Sequence, residues 1–252
     1  MSQPALKTEE ISNELDILLE KCRRFEKVDG FTLKRLKNEA KKLLSKEPSS
    51  AYWILGAIGM FEDDIDGVHE NYKKALDLSK TPLIYSNYSV SLGNMGYHSQ
   101  AFDLLKKIEI KDDKRLLFLL DSGVMSGHFH ETKLLLSNQF NQKYNQRFNI
   151  DHEQVISFMD HKGVSDADLR KLIEVTFNVA QQRGIFTFKP PEICLSPDEE
   201  TFCFEYWIEV PVDVATVVEL NTQLDSSIIE QCPPSITKQS GFVPLFITAR
   251  DE

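Results

Sequence analysis

Cysteine is scarce and unpatterned. The four in the chain, Cys22, Cys194, Cys203 and Cys232, never fall into a CxxC spacing. The common zinc-ligand and disulfide-framework signatures are therefore missing, and a reducing, cytoplasmic setting is the expectation. No apolar run approaches the length of a membrane span. The N-terminal MSQPALKTEEISNELD has no positive stretch followed by an apolar one, so no secretory signal and no membrane partner are expected. Nucleophile elbows, phosphate loops, H-E-x-x-H and G-x-G-x-x-G are also absent. These absences leave no catalytic residue, metal ligand or cofactor to name, and the chain reads as a non-enzymatic protein.

Basic residues are scarce in one half only. Residues 1–150 hold 22 basic and 21 acidic side chains, whereas residues 151–252 hold 7 and 18. The second half would repel a phosphate backbone, so nucleic acid is not the expected partner. It would attract a basic protein. The opposite signs of the two ends also permit head-to-tail self-association. One basic stretch stands out: ten Lys and Arg between Lys21 and Lys46 against Glu26, Asp29 and Glu39. Leu33, Leu36, Ala40, Leu43 and Leu44 interleave them at helical spacing, which predicts a solvated helix face. Nucleic-acid regulation through this stretch is the alternative.

The first 140 residues read as successive helices near 11–19, 32–45, 49–61, 65–79, 83–95, 98–109, 113–126 and 129–139, joined by short turns. Asp63, Gly96 and Gly127 occupy three of the turns, at intervals of 33 and 31 residues, and five residues after each stands Val68, Ala101 or Thr132. That period suggests stacked helix pairs, none of which can bury its apolar face alone. YWILGAIGMF and NYKKALDL ending at Pro82 resemble one tetratricopeptide repeat, through Trp53, Leu55, Gly56, Tyr72, Ala75, Leu76 and Pro82. A second unit matches through Gly96, Ala101 and Leu105, with Ser89 where the family has glycine. A third matches through Gly127, Phe129 and Leu136, with Thr132 in place of alanine. The resemblance covers about residues 49–140. It implies a curved solenoid whose first helices line a peptide-binding groove, with Tyr52, Asn87, Ser91 and Asn94 as groove candidates.

The Asn/Gln-rich NQFNQKYNQRFNI, residues 138–150, is taken as a border between a helical domain (1–150) and an acidic α+β domain (151–252). In the second, a Ser165–Asp168 capping box opens a helix ended by Gly184. Strands are expected at 185–188, 193–195, 201–210 and 242–249, with a helix after Asp213. The fold class is therefore α+β with a mainly antiparallel sheet. TFCFEYWIEV alternates Phe202, Phe204, Tyr206, Ile208 and Val210 with Cys203, Glu205, Trp207 and Glu209. Glu205, Trp207 and Glu209 then share one face, an aromatic anchor among charges suited to a partner. As an acid/base pair Glu205 and Glu209 fail, because four strand residues place them about 13 Å apart. His128, His130 and Glu131 at a hairpin turn are read as surface residues, not metal ligands. The functional expectation is a protein–protein interaction adaptor with a basic protein partner. An immunity or antitoxin protein neutralising a bacterial toxin is a narrower form of it.

Overall fold

In the computed structural model, residues 4–135, 152–185, 191–195, 203–238 and 241–249 are described. The chain forms two compact units, Met1–Glu109 and Ile110–Glu252. The fold is α+β: helices dominate and one three-stranded sheet lies in the second unit. Among the described residues no helix is long and apolar enough to cross a membrane. The expected 138–150 connector and most of the expected 185–188 strand lie outside the described residues.

The first unit contains α1 (Pro4–Arg23), α2 (Gly30–Leu43), α3 (Pro48–Phe61), α4 (Ile65–Leu78), α5 (Pro82–Asn94) and α6 (His98–Leu105). Asp29 caps α2 by accepting the N–H groups of Phe31 and Thr32. Pro48 and Pro82 open α3 and α5, where a missing N–H removes no helical bond. Helix α3 packs against α1, α2, α4 and α5. The α3–α4 hairpin closes tightly because Gly56 lies under the Tyr72 ring. A Cβ at Gly56 would come within 2.6 Å of that ring. Tyr72 itself is fully buried.

The second unit begins with α7 (Asp113–Met125) and α8 (Phe129–Lys133), followed by α9 (His152–Lys162) and α10 (Asp166–Gln182). Next come β1 (Glu192–Leu195), β2 (Phe204–Val210), α11 (Val214–Gln231), α12 (Pro234–Thr237) and β3 (Phe242–Thr248). The anticipated turn residues behave alike: Asp63, Gly96 and Gly127 have φ of 57°, 83° and 79°. After each, the next N–H returns to the carbonyl five residues before it (Asp64 to Gly59, Tyr97 to Leu92, His128 to Gly123). Val68, Ala101 and Thr132 are all buried where the paired helices cross. Gly127 has a second constraint, since a Cβ there would lie 2.9 Å from the Cβ of Leu169 on α10. The α7–α8 hairpin therefore shares a core with the sheet. Leu120, Val124 and Phe129 pack in one cluster with Leu169, Phe204, Ile208 and Phe246. By contacts it belongs with residues 110–252, although the sequence assigned it to the helical domain.

The strand order is β1-β2-β3. β1 runs antiparallel to β2, with Ile193 opposite Tyr206, but β2 and β3 are parallel, with Ile208 opposite Phe246. This corrects the expected mainly antiparallel sheet to a mixed one. The physical reason is the connection: the 18-residue α11 returns the chain to the end of the sheet where β2 began, as a parallel crossover requires. The expected alternation holds from Phe204 to Ile208 and ends at Glu209, which is buried like its neighbours Ile208 and Val210; Phe202 lies outside the described residues.

Candidate functional site

The first unit carries a cleft of about 60 Å³ between α1, α3 and α5, with Tyr72 of α4 also in its lining. Helix α1 buries Ile11, Leu15, Leu18 and Cys22. Its next residues around the axis, Ser12, Asp16 and Leu19, edge the cleft. Trp53, Ala57, Met60 and Phe61 of α3 face them, and Asn87, Val90 and Ser91 of α5 complete the lining. Small-molecule pockets usually span about 300–1,000 Å³, so this cleft suits a single inserted side chain.

Its polar groups differ in availability. Ser91 is buried and its Oγ lies 3.0 Å from the Tyr72 hydroxyl, which is held by burial well above the usual phenol range. Tyr72 stacks on Tyr88 at 4.6 Å, and the Tyr88 hydroxyl contacts His69 Nδ1. Ser91 thus lines the cleft, but it is buried and its hydroxyl is engaged with Tyr72. Asn87 is half-buried and lines the cleft. Asp16 is exposed and makes no ion pair among the described residues. Desolvation raises its carboxyl pKa and nearby Glu20 adds to this, while Arg23 opposes them. A cation at Asp16 would relieve both effects.

The other two groove candidates lie elsewhere. Tyr52 sits beneath the Lys74 ammonium, 5.5 Å from its ring centroid, and Asn94 Nδ2 lies 3.5 Å from Met60 Sδ. Sequence reasoning missed Asp16 and Ser12 because it started the repeat at α3. The apolar spacing of α1 was the available signal that another helix packs there.

In the second unit, Glu205 and Trp207 are half-buried on one sheet face, and the Trp207 indole N–H donates to Glu205 at 2.9 Å. Glu209 is buried, only 6% exposed, which withdraws it from the expected interface. The alternation of β2 assigns Glu209 to that face but cannot say how much of the face is covered.

The turn histidines are also not plain surface residues. His128 is buried with Nδ1 2.9 Å from Ser126 Oγ. His130 places Nδ1 2.8 Å from Asp166 Oδ1 and Nε2 3.0 Å from Asp160 Oδ1, beside an open depression of about 490 Å³. Asp166 also accepts the N–H groups of His130 and Glu131, so it caps α8 from the first turn of α10. Partial burial lowers the His130 pKa, but the hydrogen bonds to Asp160 and Asp166 outweigh this and raise it. A neutral imidazole can donate from only one nitrogen, so this geometry suits the imidazolium. The two carboxylates meet opposite ring nitrogens and do not converge on one point. Among the described residues no group of three or more His, Cys, Asp or Glu could hold a metal ion. His130 therefore ties α8, α9 and α10 together and has no lone pair to spare as a base.

No protein-family model matches the chain, and no curated protein or solved structure matches it.

Proposed function

We propose that this protein is a non-enzymatic protein-interaction adaptor. Its helical unit, a tetratricopeptide-like array, takes a segment of a basic partner protein in the cleft between α1, α3 and α5. The observation that carries this reading is the make-up of the cleft. Apolar walls from Trp53, Phe61 and Leu19 surround an amide, Asn87, and a carboxylate, Asp16, that makes no ion pair among the described residues. A lysine or arginine of the partner lays its methylene stem along the walls and its charge against Asp16. Asn87 donates to and accepts from the segment's backbone. The shared positive-φ turns at Asp63 and Gly96 support the repeat-like character of this unit. Glu205 and Trp207 provide a second acidic and aromatic surface on the other unit.

Fluorescence polarisation of a labelled hexapeptide library against the full chain tests the reading. Members with Lys or Arg should bind, with affinity falling as salt rises. Asp16→Lys should weaken the best of them by about tenfold or more, because it sets like charges together. A library with no binder refutes the cleft as a peptide site. Binding unchanged by both Asp16→Lys and Asn87→Ala refutes it equally.

A further inference from the structure

Counting residues cannot tell a paired cation from an unpaired one, but the structure can. In the basic stretch from Lys21 to Lys46, four cations are matched. Arg23 meets Glu20 at 2.6 Å, Arg24 meets Glu26 at 2.8 Å, and Lys37 meets Glu62 at 2.6 Å. Arg35 contacts both Glu14 and Glu39. The remaining six, Lys21, Lys27, Lys34, Lys41, Lys42 and Lys46, are exposed and make no ion pair among the described residues. The acids of the same stretch are already engaged: Glu26 and Glu39 by these pairs, and Asp29 by the α2 cap. The net effect is a local surface of uncompensated positive charge on an acidic protein.

Its arrangement is directional. Leu33, Leu36, Ala40 and Leu43 of α2 are buried. Lys34, Lys41 and Lys42 project from the opposite side, spanning about 12 Å along the axis at helical rise. Phe31, three residues before Lys34 and so on the same side, is 75% exposed. The helix dipoles account for Lys41 and Lys42 in the last turn of α2 and for Lys21 in the last turn of α1, but not for Lys34 or Lys27. Nothing in the packing of α2 requires an aromatic ring in solvent at its first turn.

We infer that this outer face of α2 binds single-stranded nucleic acid without sequence preference. The lysines neutralise consecutive phosphates and Phe31 stacks on a base. An anionic membrane is the poorer fit, because an interfacial helix needs a free apolar face and that of α2 is already buried in the unit. An acidic peptide would satisfy the charges but make no use of the ring. The inference does not depend on the cleft of α1, α3 and α5.

Fluorescence anisotropy of a labelled 15-nucleotide oligo(U) with the full chain tests it. Binding is expected, with a log–log salt slope of about −2 to −4 for three to six phosphate contacts. The triple variant Lys34→Gln, Lys41→Gln, Lys42→Gln should flatten that slope by about 2. Phe31→Ala should weaken binding about fivefold or more with the slope unchanged. Circular dichroism of each variant confirms that its helices are retained. Vesicles of phosphatidylcholine with 30% phosphatidylserine, and polyglutamate, serve as the competing anions. The inference is overturned by no oligo(U) binding at 50 mM salt, or by a slope the triple variant leaves intact. Tighter binding to vesicles, or polyglutamate competing as well as RNA, also overturns it.

Discussion

Raising the pH from about 5.5 to about 8.5 should loosen the second unit through a single side chain, His130. Both ring nitrogens face carboxylates, so the folded state prefers the imidazolium and its pKa is raised above the ordinary histidine value of about 6.5. A group whose folded pKa is raised adds stability that is complete below its unfolded pKa. That stability is lost as pH climbs through the folded value. The magnitude follows from exposure. A charge-assisted hydrogen bond contributes about 1.5–3 kcal/mol when shielded. The side chains of His130, Asp160 and Asp166 are 38%, 68% and 20% exposed, so solvent screens most of the Asp160 link and part of the other. About 1 kcal/mol remains after that discount. The chain has two tryptophans, Trp53 in the first unit and Trp207 in the second, so a Trp53→Phe background makes fluorescence report on the second unit alone. Urea unfolding at both pH values, with and without His130→Gln, isolates the effect. The parent should lose about 1 kcal/mol more than the variant on going to high pH. His98 does not confound the window, because burial pushes its pKa down to about 4 and keeps it neutral throughout. Equal pH dependence in parent and variant, or a parent that gains stability at high pH, would refute the bridge.

Two further substitutions test the packing. Gly56→Ala places a methyl within 2.6 Å of the Tyr72 ring and should destabilise the first unit by about 1–3 kcal/mol, read by urea unfolding through Trp53 in a Trp207→Phe background. An unchanged midpoint would mean that the α3–α4 crossing is looser than described. Asn221 donates to the Phe246 carbonyl and accepts its N–H, both at 2.9 Å, so Asn221→Leu frees both backbone groups of β3. It should lower stability by about 1–2 kcal/mol and increase concentration-dependent self-association by light scattering. A stable, monodisperse variant would show that the edge needs no such guard.

Local signals carried much of this fold in the sequence. The Ser165–Asp168 capping box, the β2 alternation and the turn positions at Asp63, Gly96 and Gly127 each depend on contacts a few residues apart. What escaped depends on separation. His130 meets partners 30 and 36 residues away, and the parallel pairing of β3 with β2 is set by the α11 crossover, not by either strand's own pattern. Ser91 and Glu209 show a subtler gap. Periodicity assigns a residue to a face, whereas burial of that face depends on what packs over it. The α7–α8 hairpin makes the same point at larger scale. Its Gly127 turn matches the other two locally, yet the surface it presses against is the first turn of α10.

The second unit also restricts how any partner can engage it. Adding a strand to β3 would need a run of free outward-facing backbone groups. In a parallel pair these alternate, so Pro244 and Phe246 fall on the same side. Pro244 has no N–H to offer and Phe246 is satisfied by Asn221. Of the side chains singled out on this sheet face from sequence, Glu205 and Trp207 are partly exposed while Glu209 is buried. The first unit has the opposite character. Its helices satisfy their own backbone groups and leave a cleft edged by Asp16 and Asn87 and a row of lysines on α2 that make no ion pair among the described residues. On the reading proposed above, recognition falls mainly to these two surfaces of the helical unit, which differ in charge.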